Sequence, residues 1–132
     1  MHAYEQATLG TFVEPVKRER MLALLGSRKR RRKALGELNH FSSWDRRFAH
    51  GLPGSMTSTE LIRLLKRAGT RGDCYILSDN PELDGQELSL AEAIGAAETA
   101  QFASLVCCIP RKLACYFYEM EKPRVRILLQ IK

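Results

Sequence analysis

The apolar positions in the N-terminal third of the chain recur at helical spacing, and a run of basic residues interrupts them. Residues 16–25 carry apolar side chains behind Pro15, a residue that suits the first turn of a helix. Gly26 is expected to end this helix, and Ser27 to cap a second helix that runs to about residue 41. Residues 1–14 are weakly patterned, so we expect a loosely held arm there.

One continuous helix over residues 16–41 is the competing interpretation. Its apolar stripe would pass through arginines, and burying several guanidinium groups without partners is expensive. A continuous helix would therefore have to project from the body with no core beside its middle. Both interpretations expose the same six consecutive basic residues, which are Arg28, Lys29, Arg30, Arg31, Arg32 and Lys33.

The middle of the chain carries two helix-start signals separated by a short apolar segment. Residues 57–60 and 89–92 both have the S/T-x-x-E form of a capping box, and apolar residues at helical spacing follow each box. Between them, residues 74–78 predict a strand and the acid-rich residues 79–87 predict a loop. Glycine and proline mark residues 42–56 as a connecting loop.

The last third of the chain predicts strands. Residues 102–109 are apolar on both faces, as a central strand requires, and residues 113–118 and 125–131 form two more strands. A strand, a helix and a strand in succession imply one parallel crossover, and the hairpins that follow form an antiparallel meander. The predicted fold is therefore α+β: a four-stranded mixed sheet packed with helices, mainly on one face, and preceded by a basic helical segment.

Composition adds a strong asymmetry of charge. The 132 residues include 21 Lys or Arg and 15 Asp or Glu, a net charge of +6. Residues 1–50 hold 11 of the bases and five of the acids, whereas residues 51–132 are neutral. We therefore expect a basic N-terminal helical segment over residues 1–50, packed on or projecting from a compact α+β body over residues 51–132, in a single domain. Such asymmetry is typical of a segment that faces a polyanion.

Several classes of protein are disfavoured. No apolar run is long enough for a transmembrane segment, and the first residues do not form a basic-then-apolar secretory signal. None of the four cysteines forms a C-x-x-C pair, and three lie in strongly apolar stretches. We expect reduced, mostly buried thiols in a cytoplasmic protein. No regular ligand spacing indicates a metal, and no motif indicates a cofactor.

The basic run is the strongest candidate for function, supported upstream by Lys17, Arg18 and Arg20. Lys and Arg near phosphates release counterions, and Arg adds bidentate contacts and stacking. Six like charges also repel one another along a helix, and no acid relieves them at i+4 until Glu37, opposite Lys33. A solvated helix face is the structural alternative, and a membrane surface or a nuclear-import signal would also explain the run.

A second candidate lies in residues 40–50, which hold the only tryptophan and two histidines. Aromatic rings beside guanidinium groups are used to bind single-stranded nucleic acid. However, Phe41, Trp44 and Phe48 share a helical spacing that is more typical of a core. We interpret the three rings as core and keep Arg46, Arg47 and His50 as exposed candidates.

The acidic segment over residues 79–87 resembles part of a calcium loop, with Gly85 in the place of the turn glycine. Position 12 is Ala91 where a bidentate glutamate is needed, which argues against calcium. The carboxylates would also suit magnesium-assisted chemistry on phosphates. A third interpretation is internal: the loop docks against the basic helices of the same chain or of a neighbour.

Together these features favour a small, basic, non-enzymatic protein that binds RNA or another polyanion through its N-terminal helices. One alternative is an adaptor or regulatory protein that docks on an acidic protein surface. The other is a phosphate-substrate enzyme that uses His50 with acids such as Asp84, which requires both to face one cleft. No motif identifies a reaction. The predicted contact residues are Lys17, Arg18, Arg20, Arg28, Lys29, Arg30, Arg31, Arg32, Lys33, Arg46, Arg47 and His50.

Overall fold

The computed structural model describes residues 2–119 and 125–131, and within them the chain forms five α-helices and six β-strands. The predicted connection between the last two strands, near residue 123, lies outside the described residues. The helices are α1 (Ala3–Phe12), α2 (Pro15–Gly26), α3 (Arg28–Glu37), α4 (Ser58–Arg67) and α5 (Leu90–Thr99). The strands are β1 (Ala49–Gly51), β2 (Cys74–Ser78), β3 (Glu87–Leu88), β4 (Ser104–Ile109), β5 (Leu113–Phe117) and β6 (Arg126–Gln130).

The strands form one antiparallel sheet in the order β1-β6-β5-β4-β2-β3. The α+β class is confirmed, but the four-stranded mixed sheet is wrong. β2 and β4 are antiparallel, with Tyr75 opposite Cys107. The short strand β3 reverses the chain after β2, and α5 begins only then. The strand after α5 is β4, and it therefore runs antiparallel to β2 rather than parallel to it. β1 was expected as loop, and it pairs with β6 through Ala49 opposite Leu129.

Both faces of the sheet are covered, which corrects the expectation that helices pack mainly on one face. Alternate residues of a strand point to opposite faces. In β5, Tyr116 joins a core that also holds Leu9 of α1 and Leu24 of α2, and we call this the first core. Phe117 joins a second core together with Leu61 of α4 and residues of α5. Four buried, free cysteines are divided between the two cores.

The first residues form a helix, so the expectation of a loose arm over residues 1–14 is wrong. The His2 side chain accepts a hydrogen bond from the Tyr4 main-chain N–H and caps α1. Leu9 and Phe12 are fully buried in the first core. The apolar pattern was weak because two polar residues, Glu5 and Thr8, are also buried on this face of α1.

The basic segment is broken at its centre, as the first of the two interpretations predicts. α2 ends at Gly26 and α3 begins at Arg28. Ser27 is the residue between them, and its carbonyl oxygen accepts from the Arg31 N–H at 2.8 Å, but its side chain makes no capping hydrogen bond. The break lets Leu25 of α2 and Leu35 of α3 pack into the same core. α3 also ends earlier than expected, at Glu37.

Both capping signals begin helices where the sequence places them. Thr57 caps α4, and the reciprocal bonds with Glu60 of a complete capping box are present. Ser89 accepts from the Glu92 N–H at the start of α5, but the Glu92 carboxylate takes the Ser89 hydroxyl instead of its main-chain N–H.

One charged cluster joins α1, α3, β2 and the loop before β3. Arg31 of α3 donates two hydrogen bonds, of 2.7 and 2.9 Å, to the two carboxylate oxygens of Glu5, whose side chain is 1% exposed. Arg31 also donates to Asp84 at 3.1 Å. The Tyr75 hydroxyl donates to Glu5 from β2. The acidic loop thus docks through Asp84 on one arginine of the basic run.

Two donors of this cluster have shifted pKa values. The hydrogen bond to Glu5 is the main cause of the raised pKa of Arg31, and the nearby charge of Asp84 adds to it. The pKa of Tyr75 is raised first by burial and then by its hydrogen bond to Glu5. Both shifts favour a protonated Arg31 and a neutral Tyr75, the forms in which both groups donate to Glu5. Because Glu5 is buried, it depends on both partners to offset its lost hydration.

We predict that Arg31→Ala lowers the free energy of unfolding by on the order of 3 kcal/mol, because it leaves the Glu5 carboxylate buried without its cation. Urea denaturation followed by circular dichroism measures this. Arg32→Ala is the matched control: Arg32 is exposed on the same helix, so its loss should change stability by less than about 0.5 kcal/mol. Equal effects of the two substitutions would contradict the structural role of Arg31.

Candidate nucleic-acid interface

The outer side of α3 is the most cationic surface of the described chain. Five of the six basic residues over 28–33 are exposed, and within residues 2–119 and 125–131 none of the five forms an ion pair. They are Arg28, Lys29, Arg30, Arg32 and Lys33. Their charge is therefore available to a ligand, whereas that of Arg31 is not.

The start of α3 is electrostatically unfavourable. Its first turn holds Arg28, Lys29 and Arg30, with no acid and no side-chain cap. The N-terminus of a helix carries a partial positive charge, so cations there repel the helix dipole. Nothing in the packing requires these three residues to be basic, since all are exposed. This cost in stability is typical of a surface kept for binding.

Lys17 and Arg20 extend the cationic surface onto α2. The Arg20 guanidinium contacts a Glu37 carboxylate oxygen at 2.9 Å. The Lys17 ammonium lies 2.9 Å from the Ser43 hydroxyl oxygen and 3.6 Å from a Glu14 oxygen. More than half of each cationic side chain stays exposed, 55% for Lys17 and 57% for Arg20. Both cations therefore remain accessible to a ligand, although each already has polar partners.

A cleft of about 450 Å³ opens between the first half of α2 and the segment that follows α3. The segment is held to the sheet: Asn39 donates to Asp79 at 3.1 Å and accepts from the Ala103 N–H at 2.8 Å. His40 then adopts a positive φ of 60°, and its ring contacts Glu119 at 2.7 Å. The cleft is lined by Lys17, Arg20, Met21, Glu37, Asn39, His40, Phe41, Ser42 and Ser43.

The predicted contact residue Arg18 faces inward. It donates to the carbonyl oxygens of Val13 at 2.7 Å and Thr11 at 2.9 Å, and so it satisfies the end of α1. It also lies 3.5 Å from the carboxylate of Asp45. Arg18 and Arg31 thus hold α1 in place. The other ten predicted contact residues are exposed.

Asp45 organises the aromatic turn. Its side chain is 6% exposed and accepts from the Arg47 guanidinium at 2.8 and 3.1 Å, while its own N–H donates to the Phe12 carbonyl at 2.7 Å. The hydrogen bonds from Arg47 lower the pKa of Asp45. The Arg47 guanidinium lies 4.9 Å from the centre of the Phe48 ring, a cation–π contact. Arg47 is therefore engaged although it is exposed, and Arg46 is exposed beside it.

The aromatic residues of this turn pack in or against the first core. Trp44 is 3% exposed and belongs to this core, as predicted, whereas Phe41 and Phe48 are partly buried against it. The Phe41 ring lies 4.6 Å from that of Trp44 in an edge-to-face arrangement, and the Tyr116 ring lies 5.1 Å from Trp44. Phe41 is only half-buried, so it also forms part of the cleft.

The geometry separates the groups on which an enzyme was postulated. His50 lies in β1 at one edge of the sheet, and Asp84 lies in the loop between β2 and β3 at the other edge. Four strand spacings put about 19 Å between β1 and β2. His50 and Asp84 therefore do not face one cleft.

The acidic loop shows no arrangement suited to a cation. Within the part of the chain that the structure describes, no group of three His, Cys, Asp or Glu side chains could hold a metal ion. Asp79 accepts from Asn39, and Asp84 accepts from Arg31 and from the Ser78 N–H.

In the same described ranges, none of the helices has both the length and the apolar composition to cross a bilayer.

Sequence reasoning identified the exposed bases but not the cleft. Its walls come from α2 and from the segment that follows α3, which are separate in the sequence. Ser42 and Ser43 belong to no motif that indicates a binding site. No protein-family model matches this chain, and neither the curated proteins nor the solved structures contain a match. The assignment of function therefore depends on the residues themselves.

We predict that Asp45→Asn lowers the free energy of unfolding at pH 7 by on the order of 1 kcal/mol, since it removes charge-assisted hydrogen bonds with Arg47 and Arg18. The pKa of Asp45 is lowered in the folded state, so its contribution is complete above the unfolded value of about 3.9. It is lost as the pH falls through the folded value. Urea midpoints of both proteins should therefore differ at pH 7 and approach each other as the pH falls below the unfolded value. A gap that widens in acid would contradict this assignment.

Proposed function

We propose that this protein binds RNA, and that its contact surface is the exposed side of the two consecutive helices α2 and α3. The observation that carries the proposal is the set of five exposed cations of α3, none of which has an acidic partner among the described residues. Lys17 and Arg20 add two partly exposed cations on α2. The aromatic turn contributes Arg46 at the surface.

Charge density supports a nucleic acid over an acidic protein surface. A ten-residue helix is about 15 Å long, so α3 presents five unpaired cations within that length. A phosphate chain offers closely spaced negative charges of the same kind, whereas acids on a protein surface are interspersed with bases. Three of the five are arginines, which match phosphate oxygens with paired N–H donors.

We predict that the triple variant Arg28→Gln, Lys29→Gln, Arg30→Gln loses affinity for single-stranded RNA. Each cation that contacts a phosphate contributes about 0.7 to the slope of log K against log salt, so the slope should fall by about 2. Fluorescence anisotropy with a labelled RNA at several salt concentrations measures both quantities.

The matched control removes the same charge from the other side of the sheet, with Arg63→Gln, Lys66→Gln and Arg67→Gln on α4. These three residues are also exposed. Equal losses in both variants would show that only net charge matters and would contradict a specific surface. An unmodified protein that fails to bind RNA at low salt, but retains a protein partner after nuclease treatment, would favour the acidic-partner alternative.

The same variants should differ in stability. Neutralising the first turn of α3 relieves repulsion with the helix dipole, so the first triple variant should be more stable than the unmodified protein by about 1 kcal/mol at low salt. The control removes two cations, Lys66 and Arg67, from the last turn of α4, where they are favourable, and should be slightly destabilised. Urea denaturation at low and high salt measures the difference, which salt should reduce. A destabilised α3 variant would contradict the view that its charge is kept for binding.

A further inference from the structure

The cleft beside α2 lies at one end of the cationic face of α3. Arg30, Lys33 and Glu37 are spaced i, i+3 and i+7, so they share one face of the helix. Glu37 contacts Arg20, which lines the cleft. Arg30 and Lys33 therefore lead along α3 toward the cleft, where Glu37 is paired with Arg20, so a polyanion that contacts both cations arrives beside the cleft.

The cleft offers donors to an anion. The Lys17 ammonium and the Arg20 guanidinium both line it. The Ser43 hydroxyl accepts from Lys17 at 2.9 Å, and the neighbouring Ser42 is exposed. Ammonium and guanidinium groups form charge-assisted hydrogen bonds with phosphate oxygens. Glu37 contacts Arg20 at 2.9 Å, whereas Glu14 lies 3.6 Å from Lys17, so Lys17 is the less tightly paired of the two cations.

The cleft also offers a surface suited to a flat ring. Phe41 lines it and is held by its edge-to-face contact with the buried Trp44. Met21 adds a polarisable thioether, and it too is in the lining. The volume of about 450 Å³ falls within the range of small-molecule sites, roughly 300–1,000 Å³. A held aromatic side chain next to cations is the arrangement on which unpaired bases stack.

We propose that this cleft accepts one unpaired nucleotide of a bound RNA. Its phosphate contacts Lys17 and Arg20, and its base lies against Phe41. This inference rests on the proposed function, since α3 supplies the cationic path to the cleft. It implies selectivity for single strands, because a base in a duplex is stacked and paired and must be extruded before it can enter.

The test uses two substitutions within the cleft and one matched control in the full chain. Ser42→Leu narrows the cleft from an exposed position, and Phe41→Leu keeps apolar volume but removes the ring. Ser55→Leu makes the same change as the first at another exposed loop position. The probes are a labelled single-stranded RNA and a blunt RNA duplex of the same length, followed by fluorescence anisotropy at one salt concentration.

We expect each cleft variant to bind the single strand on the order of tenfold more weakly, while its affinity for the duplex changes less than about twofold. Ser55→Leu should change neither affinity. Unchanged binding of the single strand by both cleft variants, or equal losses for both RNAs, would overturn the nucleotide site. In those cases the cationic surface of α3 would still stand. If the unmodified protein binds neither RNA, the proposed function itself fails.

Discussion

A buried carboxylate determines how the N-terminal helices sit on the sheet. Glu5 is nearly inaccessible, and its charge is tolerable only where Arg31 and Tyr75 both reach it. That requirement sets the rotation of α3, since turning Arg31 inward together with Ala34 and Leu35 leaves the rest of the basic run facing solvent. The interaction that stabilises the fold thus also creates the cationic surface. Asp84 extends this constraint to the loop that leads into β3.

Much of the fold was readable from local patterns. Alternation and apolar runs predicted β2, β4, β5 and β6, and the capping residues predicted the starts of α4 and α5. The errors came from short or long-range features. β3 has two residues and β1 has three, too few to show a period, yet β3 reverses the chain after β2, and β4 then pairs antiparallel with β2. α1 was missed because Glu5 interrupts its apolar stripe, and the partners that compensate its burial lie 26 and 70 residues away.

The candidate surface was also predicted only in part, since some of its features depend on distant residues. A run of six bases predicts exposure, but a sequence cannot tell which member of the run turns inward, because that depends on an acid in another helix. Arg18 is a similar case, since its partners are carbonyl groups at the end of α1. The cleft was beyond local reasoning altogether: Lys17 and Ser43 are 26 positions apart and meet only when α2 packs beside the segment after α3. The helical spacing of the three rings left Arg46, Arg47 and His50 as the exposed candidates, and all three are exposed.

The order of strands in the sheet has a consequence for biosynthesis. The first core lies between α1–α3 and side chains of β2, β4, β5 and β6, so these helices pack on strands that are translated after them. β1 also pairs late, because its strand partner among the described residues is β6. The nascent chain therefore exposes its arginine-rich helices before the strands that complete the first core have been translated. Folding that depends on such distant contacts is slow, which prolongs the interval in which these helices are exposed to other molecules.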